Sequence, residues 1–324
     1  MNMPKDQKII DLFAGCGGLT LGFQNAGFEV VAAVDNWKPA IEVYKTNFGH
    51  DVHDLDLNDV DNSVKELKKY GATIVVGGPP CQDFSQAGKR NENLGRGNLT
   101  ISFAGIVASL QPKFFVMENV DQLTKTAKFK EARKIFANAG YGITIRLLDA
   151  SLCGVPQKRK RYFVVGELGG SDDFLGFYLD ASLSQKPMTV REYFGNEMDT
   201  EFYYRHPWSY RRRAIYSVDE PSATIRGVSR SIPAGYPGHH LDATKDLSKV
   251  RPLTTIERAR VQTFPKNFKW IGTKTDVEQL IGNAVPVKLA EFVARRLNEY
   301  VKDKKSGSEK FHAKPAAQEQ LLKI

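Results

Sequence analysis

Short apolar runs alternate with longer amphipathic stretches through the first half of the chain, and the two periods predict the elements. KIIDLF, EVVAAVD, the stretch 51–57, TIVVGG, FFVMENV, ITIRLLDA and RYFVVGE read as strands. Most are apolar at successive positions and rich in β-branched or aromatic residues, as strands covered on both faces are. Helical spacing falls between them near 20–26, 37–48, 59–70, 97–110 and 128–139. Strand and helix in regular alternation predict an α/β fold, a doubly wound, mostly parallel Rossmann-like sheet. Such sheets hold ligands beyond the carboxyl ends of their strands, so the residues after DLF, AVD, VVGG and VMEN are expected on one rim.

After about Gly169 the rhythm breaks into a stretch rich in Ser, Pro, Gly, Arg and aromatics, which lasts to about Val250. No long amphipathic period runs through it, so a second, smaller, irregular domain is expected over 169–250. Helical spacing returns at TTIERARVQTF and from Val287 to Val301, which predicts that 251–302 rejoins the large domain, 1–168. The polar end, 303–324, reads as a frayed tail.

Composition narrows the class. The chain has 324 residues, 41% hydrophobic and 26% charged, enough to bury a core in one large domain and a smaller one. No apolar run of about 18 residues or more appears and the start, MNMPKDQKII, carries no signal sequence, so a soluble, cytoplasmic protein with no membrane partner is expected. Cys16, Cys81 and Cys153 have no zinc spacing and form no disulfide framework, so no metal is expected. The net charge of +9 favours polyanions without naming one. Its distribution is more telling. Arg205, Arg211, Arg212, Arg213, Arg226 and Arg230 stand against only two acids between Tyr203 and Arg230, interleaved with Tyr203, Tyr204, Trp208, Tyr210 and Tyr216. Arginine among aromatics suits phosphates and bases.

Four segments carry candidate chemistry. DLFAGCGGL follows the first strand and opens a helix, so Gly15, Gly17 and Gly18 let backbone approach a ligand. The dinucleotide fingerprint is broken at Thr20, which disfavours a nicotinamide cofactor, while Asp35 ends the second strand where an acid accepts from ribose hydroxyls. VVGGPPCQDFSQAGKR sets Cys81 beyond the fourth strand, behind two prolines that restrict the direction of the thiol. Glu118 ends the fifth strand on the same rim, and Arg159 and Arg161 in VPQKRKRYF alternate onto one face. Cys16 and Cys153 lack such a setting and read as packing residues.

Taken together, the chain from about Lys8 to Arg296 resembles the DNA cytosine C5 methyltransferase family. DLFAGCGGL resembles the cofactor loop, GGPPCQDFS the Pro-Cys nucleophile motif, MENV the acidic motif and QKRKR the arginine motif; ERARVQTFP and QLIGNAVP resemble two late motifs, all in family order. Methyltransferases acting on exocyclic nitrogens follow their proline pair with an aromatic and need no cysteine, so Cys81 after Pro79-Pro80 separates the classes. The resemblance departs from the family at Thr100 and Ile101, where a bulky aromatic is frequent.

What the resemblance implies is a flipped cytosine attacked at C6 by Cys81. Glu118 would act at N3, Arg161 would hold O2 and orient Glu118, and Arg159 would favour the thiolate. S-adenosylmethionine, leaving as S-adenosylhomocysteine, would meet Phe13, Gly15, Gly17, Gly18, Leu19, Asp35, Asn36, Asp56, Pro80, Leu99, Asn283 and Val285, with Asp54 the alternative to Asp56. Gln82, Ser85 and Lys89 would contact the sugar-phosphate backbone of double-stranded DNA and close over the base. The segment 169–250 resembles a target-recognition domain with Thr224-Ile225 as its short signature, and Arg226 and Arg230 would read guanine edges or hold phosphate. The compact length resembles bacterial modification enzymes, implying a monomer working alongside a restriction endonuclease. A tRNA cytosine C5 methyltransferase with the same catalytic set, a nucleic-acid-binding regulator without catalysis and a nicotinamide-dependent oxidoreductase are the competing readings; intact Cys81, Glu118 and Arg161 argue against the second, and the absent fingerprint and the unexplained Cys81 against the third.

Overall fold

A computed structural model describes residues 7–80 and 99–308. The first strand, β1 (Lys8–Leu12), is buried beyond its first residue, and β2 (Glu29–Asp35), β3 (Asp51–Asp54), β4 (Ile74–Gly77) and β5 (Phe114–Val120) join it in parallel in the order β3-β2-β1-β4-β5. The mostly parallel sheet predicted from alternation is therefore present. Its continuous apolar runs have a direct cause, because successive side chains feed opposite faces. Ile9, Val76 and Val116 enter the core beneath α1 (Gly18–Asn25), whereas Ile10, Val75 and Met117 enter the opposite core. The helices α2 (Lys38–Asn47), α3 (Val60–Leu67), α4 (Leu99–Leu110) and α5 (Ala127–Asn138) fall close to their expected places.

The sheet departs from parallel at one edge. β6 (Tyr141–Asp149) is followed by a two-residue strand β7 (Gln157–Lys158) and then β8 (Lys160–Leu168), which inserts between β5 and β6 antiparallel to both. The link from Ala150 to Arg159 holds only a short 3-10 turn and β7, and so supplies no crossover helix of the kind a parallel return needs.

Beyond β8 the chain first returns to the large core: Phe174, Leu175, Tyr178 and Leu179, around the one-turn helix α6 (Gly176–Asp180), pack beneath the sheet although they follow the predicted boundary at Gly169. Next come α7 (Val190–Phe194), β9 (Phe202–Tyr204), β10 (Ile215–Ser217), β11 (Ser222–Ala223) and β12 (Val250–Pro252). The segment predicted as irregular thus carries a three-stranded sheet in the order β10-β9-β12, while β11 pairs with β7 and stitches this region to the large domain. The closing helices are α8 (Thr255–Val261), α9 (Lys274–Asn283) and α10 (Val287–Ser306), the last running past residue 302. Gly22 lets α1 and α10 touch: a Cβ there would lie 2.4 Å from the Ala290 Cβ.

Candidate active site

The strand ends of β1, β2, β4 and β5 open onto one cleft of about 890 Å³. At its floor the chain leaves β1 through two left-handed residues, Phe13 (φ 57°) and Gly15 (φ 56°), and Gly17 (φ 88°) starts α1. Asp35 fixes this turn, its Oδ2 accepting from Gly15 N at 2.8 Å and its Oδ1 from Trp37 N at 2.9 Å. Burial raises the Asp35 carboxyl above its ordinary value, against the pull of those backbone donors.

Gly18 explains why the end of the chain returns here. A Cβ at Gly18 would sit 2.3 Å from the carbonyl oxygen of Val285, so the GNAVP segment lies directly on the start of α1. Asn283 and Val285 consequently line the cleft beside Phe13, Gly15, Gly18 and Leu19. Asp35 and Asn36 enter from β2, Asp56 from the turn after β3, and Pro80 and Leu99 from the edges of the undescribed segment 81–98. Gly17 faces elsewhere. A Cβ there would meet the Phe48 ring at 2.3 Å, so its smallness serves packing against α2. Asp56 lines the cleft, whereas Asp54 ends β3 beside it.

The opposite wall is ionic. The Glu118 Oε1 meets Arg161 Nε at 2.9 Å, and both side chains are largely buried. Burial pushes the Glu118 carboxyl up, while the positive charges of Arg161 and Arg159 pull it down; the upward push wins. Gly78 makes room for this acid, since a Cβ there would be 3.3 Å from Glu118 Oε2. The next residue, Asn119, donates from Nδ2 to the carbonyl of Pro79 at 2.9 Å and accepts from Val120 N at 2.8 Å, tying the proline pair to β5. Sequence reasoning stopped at Glu118 and missed Asn119, although its place beside the acid in MENV was the available signal.

Arg159 is buried deeper than Arg161. Its guanidinium donates to the carbonyls of Ile225, Gly282 and Ala284 at 3.1, 3.1 and 3.2 Å, and its Nε has no partner among the described residues. Burial and the like charge of Arg161 depress its affinity for a proton. Two glutamines that sequence reasoning also passed over run parallel to it. Gln157 accepts from Ile225 N and donates to Gln262 Oε1, while Gln262 donates to the carbonyls of Ile281 and Ala284. A turn of the smaller region and a wall of the cleft are therefore fastened to one polar layer.

That turn holds the predicted recognition residues. Thr224 donates from Oγ1 to the Lys158 carbonyl at 2.8 Å. Arg226 donates to the His206 carbonyl at 3.2 Å and stacks over Trp208, and its carbonyl accepts from Arg258, itself ion-paired with Glu278. Thr224, Arg226 and Arg230 line a second, smaller depression. Cys81, Gln82, Ser85 and Lys89 lie outside the described residues. Cys16 and Cys153 are buried, and burial pushes the Cys153 thiol up to about 12 and the Cys16 thiol further, which makes both poor nucleophiles. Among the described residues no group of three His, Cys, Asp or Glu side chains is placed to hold a metal, and no helix is long and apolar enough to cross a membrane.

A family model described as C-5 cytosine-specific DNA methylase matches residues 7–299. Type II methyltransferase M.HindV of Haemophilus influenzae is 55% identical over 297 residues, covering 91% of this chain and 98% of that protein. Type II methyltransferase M.HgiDI of Herpetosiphon aurantiacus is 55% identical over 294 residues, covering 91% and 95%. The fold is shared with the S. pombe Dnmt2 methyltransferase, at a TM-score of 0.69 and 18% identity over 91% of this chain and 99% of that one.

Proposed function

The chain belongs to the C-5 cytosine-specific DNA methylase family, and from that premise we propose that it moves a methyl group from S-adenosylmethionine to C5 of a cytosine turned out of a specific duplex DNA sequence. That it is a DNA cytosine-5-methyltransferase of the restriction-modification type follows from its family and its relatives. The observation that carries the finer reading is the buried Glu118–Arg161 pair, set against Pro79 and Pro80 in the cleft that also holds the glycine turn.

The cleft fits a nucleoside cofactor in two respects. Backbone at Gly15 is open to close approach, with nothing within 4 Å of where a Cβ would lie, and Asp35 keeps acceptor capacity beyond its bonds to backbone N–H groups, since a carboxylate offers about four lone-pair sites. Phe13, Leu19, Asp35, Asp56, Leu99 and Asn283 are the residues that would hold it. When bound, S-adenosylmethionine supplies a methyl group on a sulfonium, an electrophile at neutral pH.

What the protein itself must do is make C5 of cytosine nucleophilic. Cys81, as thiolate, forms an S–C6 bond and the displaced electron pair moves to C5, while N3 takes a proton or a strong hydrogen bond from Glu118. The raised Glu118 carboxyl keeps that proton available at higher pH. Arg161 orients Glu118 and offers its remaining donors to O2, and the Arg159 charge, with an Nε that has no partner among the described residues, favours negative charge nearby. Once C5 has taken the methyl group, loss of its hydrogen as a proton restores the double bond, and the S–C6 bond breaks to release Cys81. Because the target atom lies inside a duplex, the base leaves the stack first, at a cost of a few kcal/mol.

The test compares transfer of labelled methyl groups to duplex DNA and to tRNA, with bisulfite sequencing of DNA from expressing cells to give the target sequence. Label in C5 of DNA cytosine at a fixed sequence, with covalent trapping by 5-fluorocytosine in wild type and its loss in Cys81→Ser, is the expected result. Equal or greater transfer to RNA, or full-rate transfer by Cys81→Ser, overturns it. A monomer acting beside a cognate restriction endonuclease completes the reading, checked by sedimentation and by protection of host DNA from cleavage.

A further inference from the structure

Of the five aromatics interleaved with arginine in the smaller region, the fold buries Tyr203, Tyr204 and Tyr216 and leaves Tyr210 43% and Trp208 66% exposed. Tyr210 leans its ring on Tyr236, at 5.7 Å between centroids. Trp208 is backed differently: the Arg226 guanidinium lies 4.8 Å from its ring centroid and is itself held by the His206 carbonyl. Burial and neighbouring arginines lower the Arg226 proton affinity to about 10. An exposed indole braced from behind by a tethered cation is a rigid flat surface, since the stack restrains the ring at little further entropic cost.

The arginines sort in the same way. Arg205 donates to the Thr224 carbonyl and Arg213 pairs with Glu220, so both work inside the fold. Arg211, Arg212 and Arg230 are exposed, and they give the surface around Trp208 a positive charge that complements a phosphate backbone. The brace also connects to the catalytic side. Arg226 follows Ile225, whose carbonyl accepts from Arg159 in the wall of the cleft, and Gly227 packs against Gly282, where a Cβ would meet Gly227 N at 2.1 Å.

We propose that Trp208, backed by Arg226, is a specificity-determining contact that stacks on a base of the target DNA sequence while Arg211, Arg212 and Arg230 take flanking phosphates. The proposal rests on the reading of the protein as a duplex-DNA methyltransferase. In a duplex the indole reaches a base face by wedging into a step, so it distinguishes sites by how readily the local step opens, information that phosphate contacts do not carry.

The test uses the full chain, the target duplex found by bisulfite sequencing and a scrambled duplex of equal length. Trp208→Ala is expected to lower kcat/KM on the target duplex by roughly ten- to a hundredfold, with the salt dependence of binding and the affinity for S-adenosylhomocysteine unchanged. Trp208→Phe, which keeps a flat ring, is expected to recover most of that loss. In the native protein the fluorescence difference between wild type and Trp208→Phe should be quenched by the target duplex and not by the scrambled one. Unchanged kcat/KM in Trp208→Ala, an equal loss of binding to both duplexes, or absence of quenching overturns the proposal. Wild type that methylates DNA while Trp208→Ala does so equally sinks this contact alone; wild type that methylates no DNA sinks the reading beneath it.

Discussion

Glu118 and Asp11 are two carboxyls that burial pushes the same way for different ends. Glu118 keeps its proton to higher pH than an exposed glutamate would, against the pull of Arg161. Glu118→Gln replaces a transferable proton with a fixed amide donor, so single-turnover methylation should fall by about 10²–10⁴-fold. Duplex affinity, measured by anisotropy, should change little, because the amide still donates to N3. Asp11 lies under the glycine turn, fully buried, accepting from Thr20 N at 3.1 Å and Thr20 Oγ1 at 2.6 Å, and burial raises it to about 7. Its folded value exceeds the unfolded value of about 4, so the stabilisation from the neutral form is complete below that pH and is lost as pH rises through about 7. Denaturant titrations from pH 5 to pH 8 should show wild type losing up to about 3 kcal/mol relative to Asp11→Asn; parallel curves for the two proteins would show that Asp11 does not titrate in this range.

Elements were legible where their period was long and their apolar face unmixed. α10 and the parallel strands satisfy both conditions. α9 was missed because its buried apolar residues, Val277, Leu280 and Ile281, are set among the polar Lys274, Asp276 and Gln279, and because Glu278, a charged residue in sequence, is buried there by pairing with Arg258. The direction of β8 was equally hidden, since an apolar run does not reveal its neighbour's orientation and only the short link from β6 fixes it. The contact between α1 and α10 was invisible for the same reason, yet it brings the end of the chain to the start. Gly22→Ala would place a methyl group 2.4 Å from the Ala290 Cβ and 2.6 Å from the Val287 carbonyl oxygen. The helices must part, at about 1–3 kcal/mol. A lower melting temperature with weaker S-adenosylhomocysteine binding is expected, because Val285 precedes α10 in the cleft wall; unaltered stability would show that the helices yield freely.

At the scale of the whole molecule, the rim that gathers the proposed catalytic and cofactor residues could be read from strand ends, and Phe13, Asp35, Glu118 and Arg161 do meet there. The bonds between regions could not, because a sequence does not say which carbonyl a buried arginine will find. Arg159 is the instance with the widest reach. It reads as a charge beside the nucleophile, yet three of its bonds join the Ile225 turn, Gly282 and Ala284, so one guanidinium holds the smaller region against the wall of the cleft. Arg159→Lys keeps the charge and loses the planar fork, and leaving buried carbonyls unpaired costs about 1–3 kcal/mol each. If the charge alone mattered, the lysine variant would retain cofactor affinity and sequence preference. If the fork matters, both should weaken together: calorimetry with S-adenosylhomocysteine and competition between target and scrambled duplex should each show a loss of roughly tenfold or more. A loss confined to one ligand would mean that Arg159 serves that site and does not join the two.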